Sequence, residues 1–326
     1  MPACYHPIDI YVRDQHKGFL VPCGKCVACL ERKRQQYMLR AQYEMKAFRY
    51  CYFVTLSYSD NYLPYECYSQ KKKGIPVNPI STGESILCPY DLRCFFERLR
   101  HLCGKFSYFA CGEYGSEDNT KRPHYHICLY TDDNWENTLL NVRRAWSFLR
   151  AETPKERYQR YYKSRKLGRP IKRDAWDMRN RIPIGRDQVR CLTYKNITYV
   201  SKYVTKQINS MEVIPPFYRV SNGLGKCFLD SQECKLLKQQ NKHYAYLDSG
   251  LPCALPRYFS QKMFTLKQME DFQLEMIIKD SPIDRLDFDS QEEYETAYKA
   301  WYKHKQSTEL SARRRRLLRF QGVRML

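Results

Sequence analysis

Along the chain, apolar residues alternate in some stretches and recur every three or four positions in others, and the two patterns fall in separate blocks. Residues Leu30 to Arg49 carry Leu30, Tyr37, Leu39, Tyr43 and Phe48 among many charges, which predicts a basic helix. The aromatic and β-branched run Tyr52 to Tyr58 precedes Asp60-Asn61 and predicts a strand followed by a turn. From Asp91, a residue suited to an N-cap, Leu92, Phe95, Phe96, Leu99 and Leu102 predict an amphipathic helix. Phe106 to Glu113 and His124 to Tyr130 read as two strands of an antiparallel hairpin, joined by the polar segment Gly115 to Arg122. Beside Asp132-Asp133, the positions Trp135, Leu139, Val142, Trp146 and Leu149 predict a further helix. No parallel βαβ pattern is present, so the expected class is α+β: a central antiparallel sheet with helices packed on one face, followed by a mainly helical C-terminal region.

The blocks suggest an N-terminal cysteine-containing basic segment over 1–49, a principal domain over 50–210 and a third region over 211–326 that opens near Pro215-Pro216 and Asn222 to Gly225. Its last part, 260–326, ends in the basic run Arg313 to Arg316. With 326 residues, 43% of them hydrophobic, the chain has material for a packed core. The 56 Lys and Arg against 35 acidic residues give a formal net charge of +21, the footprint of a protein that binds a polyanion. Between Lys155 and Arg190, 13 basic residues face 4 acidic ones and interleave with Tyr158, Tyr161, Tyr162 and Trp176. Such a run is either a solvated loop or a surface on which bases stack while cations follow phosphates, and Arg169, Lys172 and Arg173 are its candidate DNA contacts. No stretch has the length and apolarity of a membrane span, and the start lacks a secretory h-region, so the expected location is cytoplasmic, away from membranes.

The chemistry concentrates in two fragments. In Arg122-Pro-His-Tyr-His126, strand alternation projects His124 and His126 to one face and Tyr125 to the other, which is a metal-ligand arrangement. Glu113 ends the preceding strand, where a hairpin would bring its carboxylate to both imidazoles as a third ligand. Two nitrogens and a carboxylate suit Mn²⁺, tolerate Mg²⁺ and would also take Zn²⁺. In Tyr199-Val-Ser-Lys-Tyr203, helical spacing would present two hydroxyls to one site. Each fragment alone is weak: a strand His-x-His is more often a hydrogen-bonded pair, and with 28 tyrosines an i,i+4 pair is more often packing. A third cluster, Cys23-x-x-Cys26-x-x-Cys29 with Cys4 or His6 as a fourth partner, has spacings that suit either a small structural zinc site or unligated thiols. Of the 15 cysteines in the chain, those outside this cluster are spread along it as reduced core residues would be.

Taken in order, Phe53 to Ser57, Glu113, Arg122 to His126 and Tyr199 to Lys206 resemble the three motifs of rolling-circle replication initiators of the HUH endonuclease superfamily. The Tyr-x-x-x-Tyr form enclosing Lys202 is similar to the replication initiators of small single-stranded DNA phages, the microviruses. Pro22 to Cys26, Thr55 to Tyr58 and Gly223-Leu-Gly225 look like the gokushovirus branch. The resemblance covers about residues 20–225. It implies metal ligands at His124, His126 and Glu113, nucleophiles at Tyr199 and Tyr203, an assisting Lys202, and phosphate contacts from Lys206 and Arg122. It further implies metal-dependent nicking of an origin through a 5′-phosphotyrosine ester, joining of a unit-length single-stranded circle, and a divalent cation, Mg²⁺ or Mn²⁺. The implied partners are single-stranded and origin DNA with a host helicase and DNA polymerase in the bacterial cytoplasm. The alternatives are a plasmid initiator, relaxase or transposase of the same superfamily, and a non-catalytic protein that coats or packages single-stranded DNA. Tyr125 departs from the bulky apolar residue usual between the histidines, and Ser57 from the commoner Thr.

Overall fold

Alternation in Tyr50–Ser57 (β3) buries Tyr52, Val54 and Leu56 on one side and turns Phe53, Thr55 and Ser57 to the other, which is why this segment serves as a shared strand inside a sheet. The computed structural model describes residue 4 and residues 8–12, 17–64, 85–115, 121–151, 153–170, 172, 174–206, 214–269 and scattered positions between 272 and 301. Contacts divide the chain into two units, Tyr37–Phe228 and Met1–Gln36 together with Leu229–Leu326.

In the first of these, β3 pairs with Pro123–Thr131 (β5), β5 with Phe106–Tyr114 (β4), β4 with Phe217–Val220 (β9) and β3 with Asp187–Cys191 (β8). The result is a five-stranded sheet of order β8-β3-β5-β4-β9, antiparallel throughout, with the histidine strand at its centre. Helices Pro89–Leu102 (α2) and Trp135–Ala145 (α3) cover one face, and Leu92, Phe95, Phe96, Leu99, Val142 and Trp146 join β3 and β5 in one core. Phe96 stacks on Tyr108 with ring centroids 3.7 Å apart. The expected α+β class with a central antiparallel sheet therefore holds.

Helices lie on both faces rather than one. Tyr37, in the helix Val27–Glu44 (α1), packs against Phe109 and Tyr218, whose side chains point away from the α2 and α3 layer. Tyr194–Ser201 (α5) and Tyr203–Lys206 (α6) cover the same second face. Strand alternation shows that β4 and β5 are apolar on both sides, Phe109, Cys111, Cys128 and Tyr130 included, and such strands need a layer on each.

Smaller differences have local causes. Asp91 is not the N-cap of α2; Cys88 is, Pro89 takes the first turn, and Asp91 accepts a hydrogen bond from the Tyr58 hydroxyl at 2.8 Å. The helix α3 stops at Ala145, and Ser147–Leu149 (β6) pairs instead with Arg181–Pro183 (β7), so Trp146 and Leu149 lie beyond it. Part of the basic stretch is helical: Pro154–Lys166 (α4) has a Thr153/Glu156 capping box and buries no residue.

The other unit contains the hairpin of Ile8–Val12 (β1) and Lys17–Val21 (β2), the start of α1, Gln232–Gln239 (α7), the hairpin of Tyr244–Tyr246 (β10) and Pro252–Ala254 (β11), and Arg257–Met263 (α8). His243 is stacked between Phe264 and Phe272 at 4.0 Å from each. Arg173, His6, Arg313 to Arg316 and most of the expected helical segment 260–326 lie outside the described residues. No helix among the described residues is long and apolar enough to cross a membrane.

Candidate metal centre and paired tyrosines

Register builds the first part of the site. Glu113 pairs with His124 across β4 and β5, and His126 pairs with Cys111 on one side and Thr55 on the other. His124, His126 and Glu113 therefore project from the same face, side by side. The Nε2 atoms of His124 and His126 lie 2.8 and 2.9 Å from the same Glu113 Oε1. Among the described residues this is one of two groups whose donor atoms all lie within 4.8 Å of one another. Two imidazole nitrogens and a carboxylate oxygen at that spacing fit a divalent cation and leave positions for a ligand oxygen.

The outer nitrogens are held as well. His126 Nδ1 lies 3.0 Å from Thr55 Oγ1, and its ring stacks on Phe53 with 6° between the planes. His124 Nδ1 donates to the Arg122 carbonyl at 3.1 Å, because a carbonyl oxygen can only accept. These bonds fix ring orientation and leave both Nε2 atoms aimed inward. Thr55 and Phe53 were readable as occupants of this face from the alternation of their strand, although only the pairing with β5 shows that they meet His126.

The second part comes from α5 and α6. Tyr199 Oη donates to Glu113 Oε1 at 2.5 Å, and Tyr203 Oη donates to Tyr199 Oη at 3.4 Å. The two tyrosines are not on one uninterrupted helix: α5 ends at Ser201, Lys202 N donates to the Tyr199 carbonyl at 3.1 Å, and α6 starts at Tyr203. Lys202 nevertheless keeps helical backbone angles, so the one-face relation survives the break. Tyr203 is buried and Tyr199 half-buried. Exposed Lys202 and Lys206 place their ammonium groups 5.7 and 4.8 Å from the ring centres of Tyr199 and Tyr203.

Electrostatics follow from the contacts. Burial works to raise the Glu113 carboxyl, but hydrogen bonds from His124, His126 and Tyr199 outweigh it and hold it at about 2. Burial disfavours the His124 imidazolium, yet Glu113 on one nitrogen and the Arg122 carbonyl on the other raise it above its ordinary value. Burial and the neighbouring Glu113 carboxylate push the Tyr199 hydroxyl well up.

Behind the site, Tyr125 is fully buried in the opposite core, and its hydroxyl is 2.9 Å from that of Tyr58 and donates to the Cys88 carbonyl at 2.8 Å. A tyrosine between the two histidines is thus accommodated because its polar end has partners.

The expected DNA contacts are distributed. The Arg122 guanidinium pairs with Asp60 and donates to the Tyr58 carbonyl at 2.9 Å, which ties the strand's entry to the end of β3. Arg169 and Lys172 are exposed beyond α4; Arg169 lines a shallow hollow with Tyr161, Ser164, Arg165, Gly168 and Pro170.

Residues 51–208 match the family model described as replication-associated protein ORF2/G2P. The chain is 28% identical over 269 residues to replication-associated protein ORF2 of Spiroplasma virus 4, covering 78% of this chain and 72% of the relative. It is 22% identical over 254 residues to replication-associated protein VP4 of Bdellovibrio phage phiMH2K, covering 74% and 67%. To replication-associated protein ORF4 of Chlamydia phage 1 it is 25% identical over 205 residues, covering 61% and 41%. No solved structure matches. The resemblance drawn from the motifs to replication proteins of small single-stranded DNA phages holds.

Proposed function

We propose that this chain, similar as it is to phage replication-associated proteins, initiates rolling-circle replication by nicking an origin and later joining the displaced strand. The observation that carries the reading is the 2.5 Å contact between the Tyr199 hydroxyl and Glu113, the carboxylate that His124 and His126 also face. That contact supports the reading because it joins the proposed nucleophile to the proposed cation ligands.

In this reading Tyr199 Oη gives up its proton and attacks the scissile phosphorus, the bond from phosphorus to the 3′ oxygen breaks, and in net the proton lost by the tyrosine ends on that oxygen as a 3′ hydroxyl. The 5′ phosphate stays on the enzyme as a tyrosine ester. Glu113 accepts the Tyr199 hydrogen bond before attack, and Thr55 and the Arg122 carbonyl hold the two imidazoles in line. A Mg²⁺ or Mn²⁺ ion on His124, His126 and Glu113 would offset charge on the phosphate oxygens and on Glu113, whose carboxylate otherwise keeps the tyrosine protonated. Tyr203 is the second nucleophile, near enough for the two hydroxyls to serve one phosphate position in turn. Because the ester retains the energy of the broken bond, joining needs no nucleotide. Lys202, Lys206, Arg169 and Lys172 are the proposed phosphate contacts, with host helicase and polymerase completing replication in the bacterial cytoplasm.

The test is incubation of the purified chain with Mn²⁺ and labelled single-stranded DNA tiled across its own genome, followed by denaturing gels of the wild type, Tyr199→Phe, Tyr203→Phe and the double variant. A protease-sensitive covalent band that needs metal and vanishes in the double variant is expected. Binding with no such band would sink the initiator reading and leave a non-catalytic single-strand binder.

A further inference from the structure

Four sulfurs converge at the other end of the sequence. The β1 and β2 hairpin sets Ile8 opposite Val21, so the chain returns on itself and Cys23 comes back to Cys4, where the Cys23 amide donates to Cys4 Sγ at 3.2 Å. Cys26 and Cys29 flank the first residues of α1, one helical turn apart. The sulfurs of Cys4 and Cys26 are 3.8 Å apart, those of Cys23 and Cys29 are 4.0 Å apart, and all four lie within 4.8 Å of one another.

A disulfide brings two sulfurs to about 2.05 Å, far inside these separations. Four thiolates around one zinc at about 2.3 Å stand about 3.8 Å apart along each edge of the tetrahedron. The observed separations suit one shared ion. Further order at the cluster agrees: the amides of Lys25 and Cys26 donate to Cys23 Sγ at 3.5 and 3.3 Å, the arrangement that stabilises a thiolate. Gly24 takes a φ of +73°, and that left-handed turn lets those amides face the sulfur. Cys4 and Cys29 are buried, at 6% and 8% exposure.

We infer that Cys4, Cys23, Cys26 and Cys29 form a structural zinc site. His6 lies outside the described residues, and Cys4 supplies the fourth ligand. Binding holds all four sulfurs as thiolates and releases up to four protons, and with every ligand position taken by protein the ion has no catalytic opening. Its role is to lock the N-terminal hairpin onto the start of α1, a segment too short to hold itself by apolar burial. The site lies outside the family match over 51–208 and does not depend on the nuclease reading.

The experiment is elemental analysis of the full-length chain purified without chelators, together with zinc release followed by a chromogenic chelator while p-hydroxymercuribenzoate titrates the thiols. One zinc per chain is expected, released in step with modification, retained by a His124→Ala/His126→Ala variant and lost from Cys23→Ser/Cys26→Ser. Replacement by Co²⁺ should give the intense visible bands of a tetrahedral thiolate site. A folded wild type that neither contains nor takes up zinc would overturn the inference. Zinc that persists after the thiols are blocked, or that leaves with the histidines, would overturn it too. The mercurial titration uses the wild type alone, so the outcome stands even if the cysteine variant fails to fold.

Discussion

His124 stands between two acceptors, the Arg122 carbonyl and Glu113, and that position decides how its proton behaves. Its pKa is raised, so without metal the imidazolium persists above the ordinary value near 6.5. A cation must displace the proton on Nε2. Metal affinity should therefore fall as pH drops through the raised His124 pKa, and calorimetry in buffers of different ionisation enthalpy should record up to one proton released per metal; pH-independent affinity between 6 and 8 would contradict this. Glu113, held at about 2, stays ionised throughout and contributes no such dependence. Thr55 acts on His126 from the far nitrogen. Thr55→Val should weaken Mn²⁺ binding by roughly 10–100-fold with little change in melting temperature, as an orienting partner does when lost. Titration of the variant checks it.

At the scale of elements, the tyrosine pair depends on a helix that breaks and continues. Lys202 supplies the one residue of helical backbone between α5 and α6, and the two hydroxyls remain neighbours. The second face of the sheet also depends on α1, whose position is fixed by Gly225: its φ is +74°, its amide donates to Glu44 at 2.5 Å, and a Cβ there would meet the Arg40 backbone at 2.7 Å. Arg40 in turn donates to the Leu224 carbonyl at 2.8 Å. Gly225→Ala should cost on the order of 2–4 kcal/mol through backbone strain and overlap together. Thermal unfolding should show a drop of several degrees, and an unchanged midpoint would mean that α1 shifts freely.

At the scale of the molecule, basic residues are dense between Lys155 and Arg190, 13 against 4 acidic ones, and α4 carries part of that stretch. The helix buries nothing, and Tyr158, Tyr161 and Tyr162 are each more than 60% exposed among its lysines and arginines. An exposed helix of that composition fits a single strand, with bases on the rings and phosphates on the cations. Replacing Lys163, Arg165 and Arg169 by Gln should make the slope of log affinity against log salt shallower by about 2 for single-stranded DNA, from about 0.7 per lost phosphate contact. Fluorescence anisotropy at several salt concentrations measures it, and an unchanged slope would remove α4 from the DNA path.

The sequence by itself determined the class of fold, the hairpin of Phe106 to Glu113 with His124 to Tyr130, and which residues are candidates for the site, because periods of two and 3.6 are local properties of a chain. Strand alternation alone sent His124 and His126 to one face, and helical spacing alone placed Tyr199 near Tyr203. Tertiary structure decided that β5 is the central strand, that Glu113 falls opposite His124, that Thr55 reaches His126 and that Tyr199 closes on Glu113 from 86 residues away. It also decided that helices cover both faces and that the hairpin folds Cys4 back to Cys23. Each of those is a pairing between distant segments, set by register and by which apolar faces must be covered, and no short stretch of sequence carries that information.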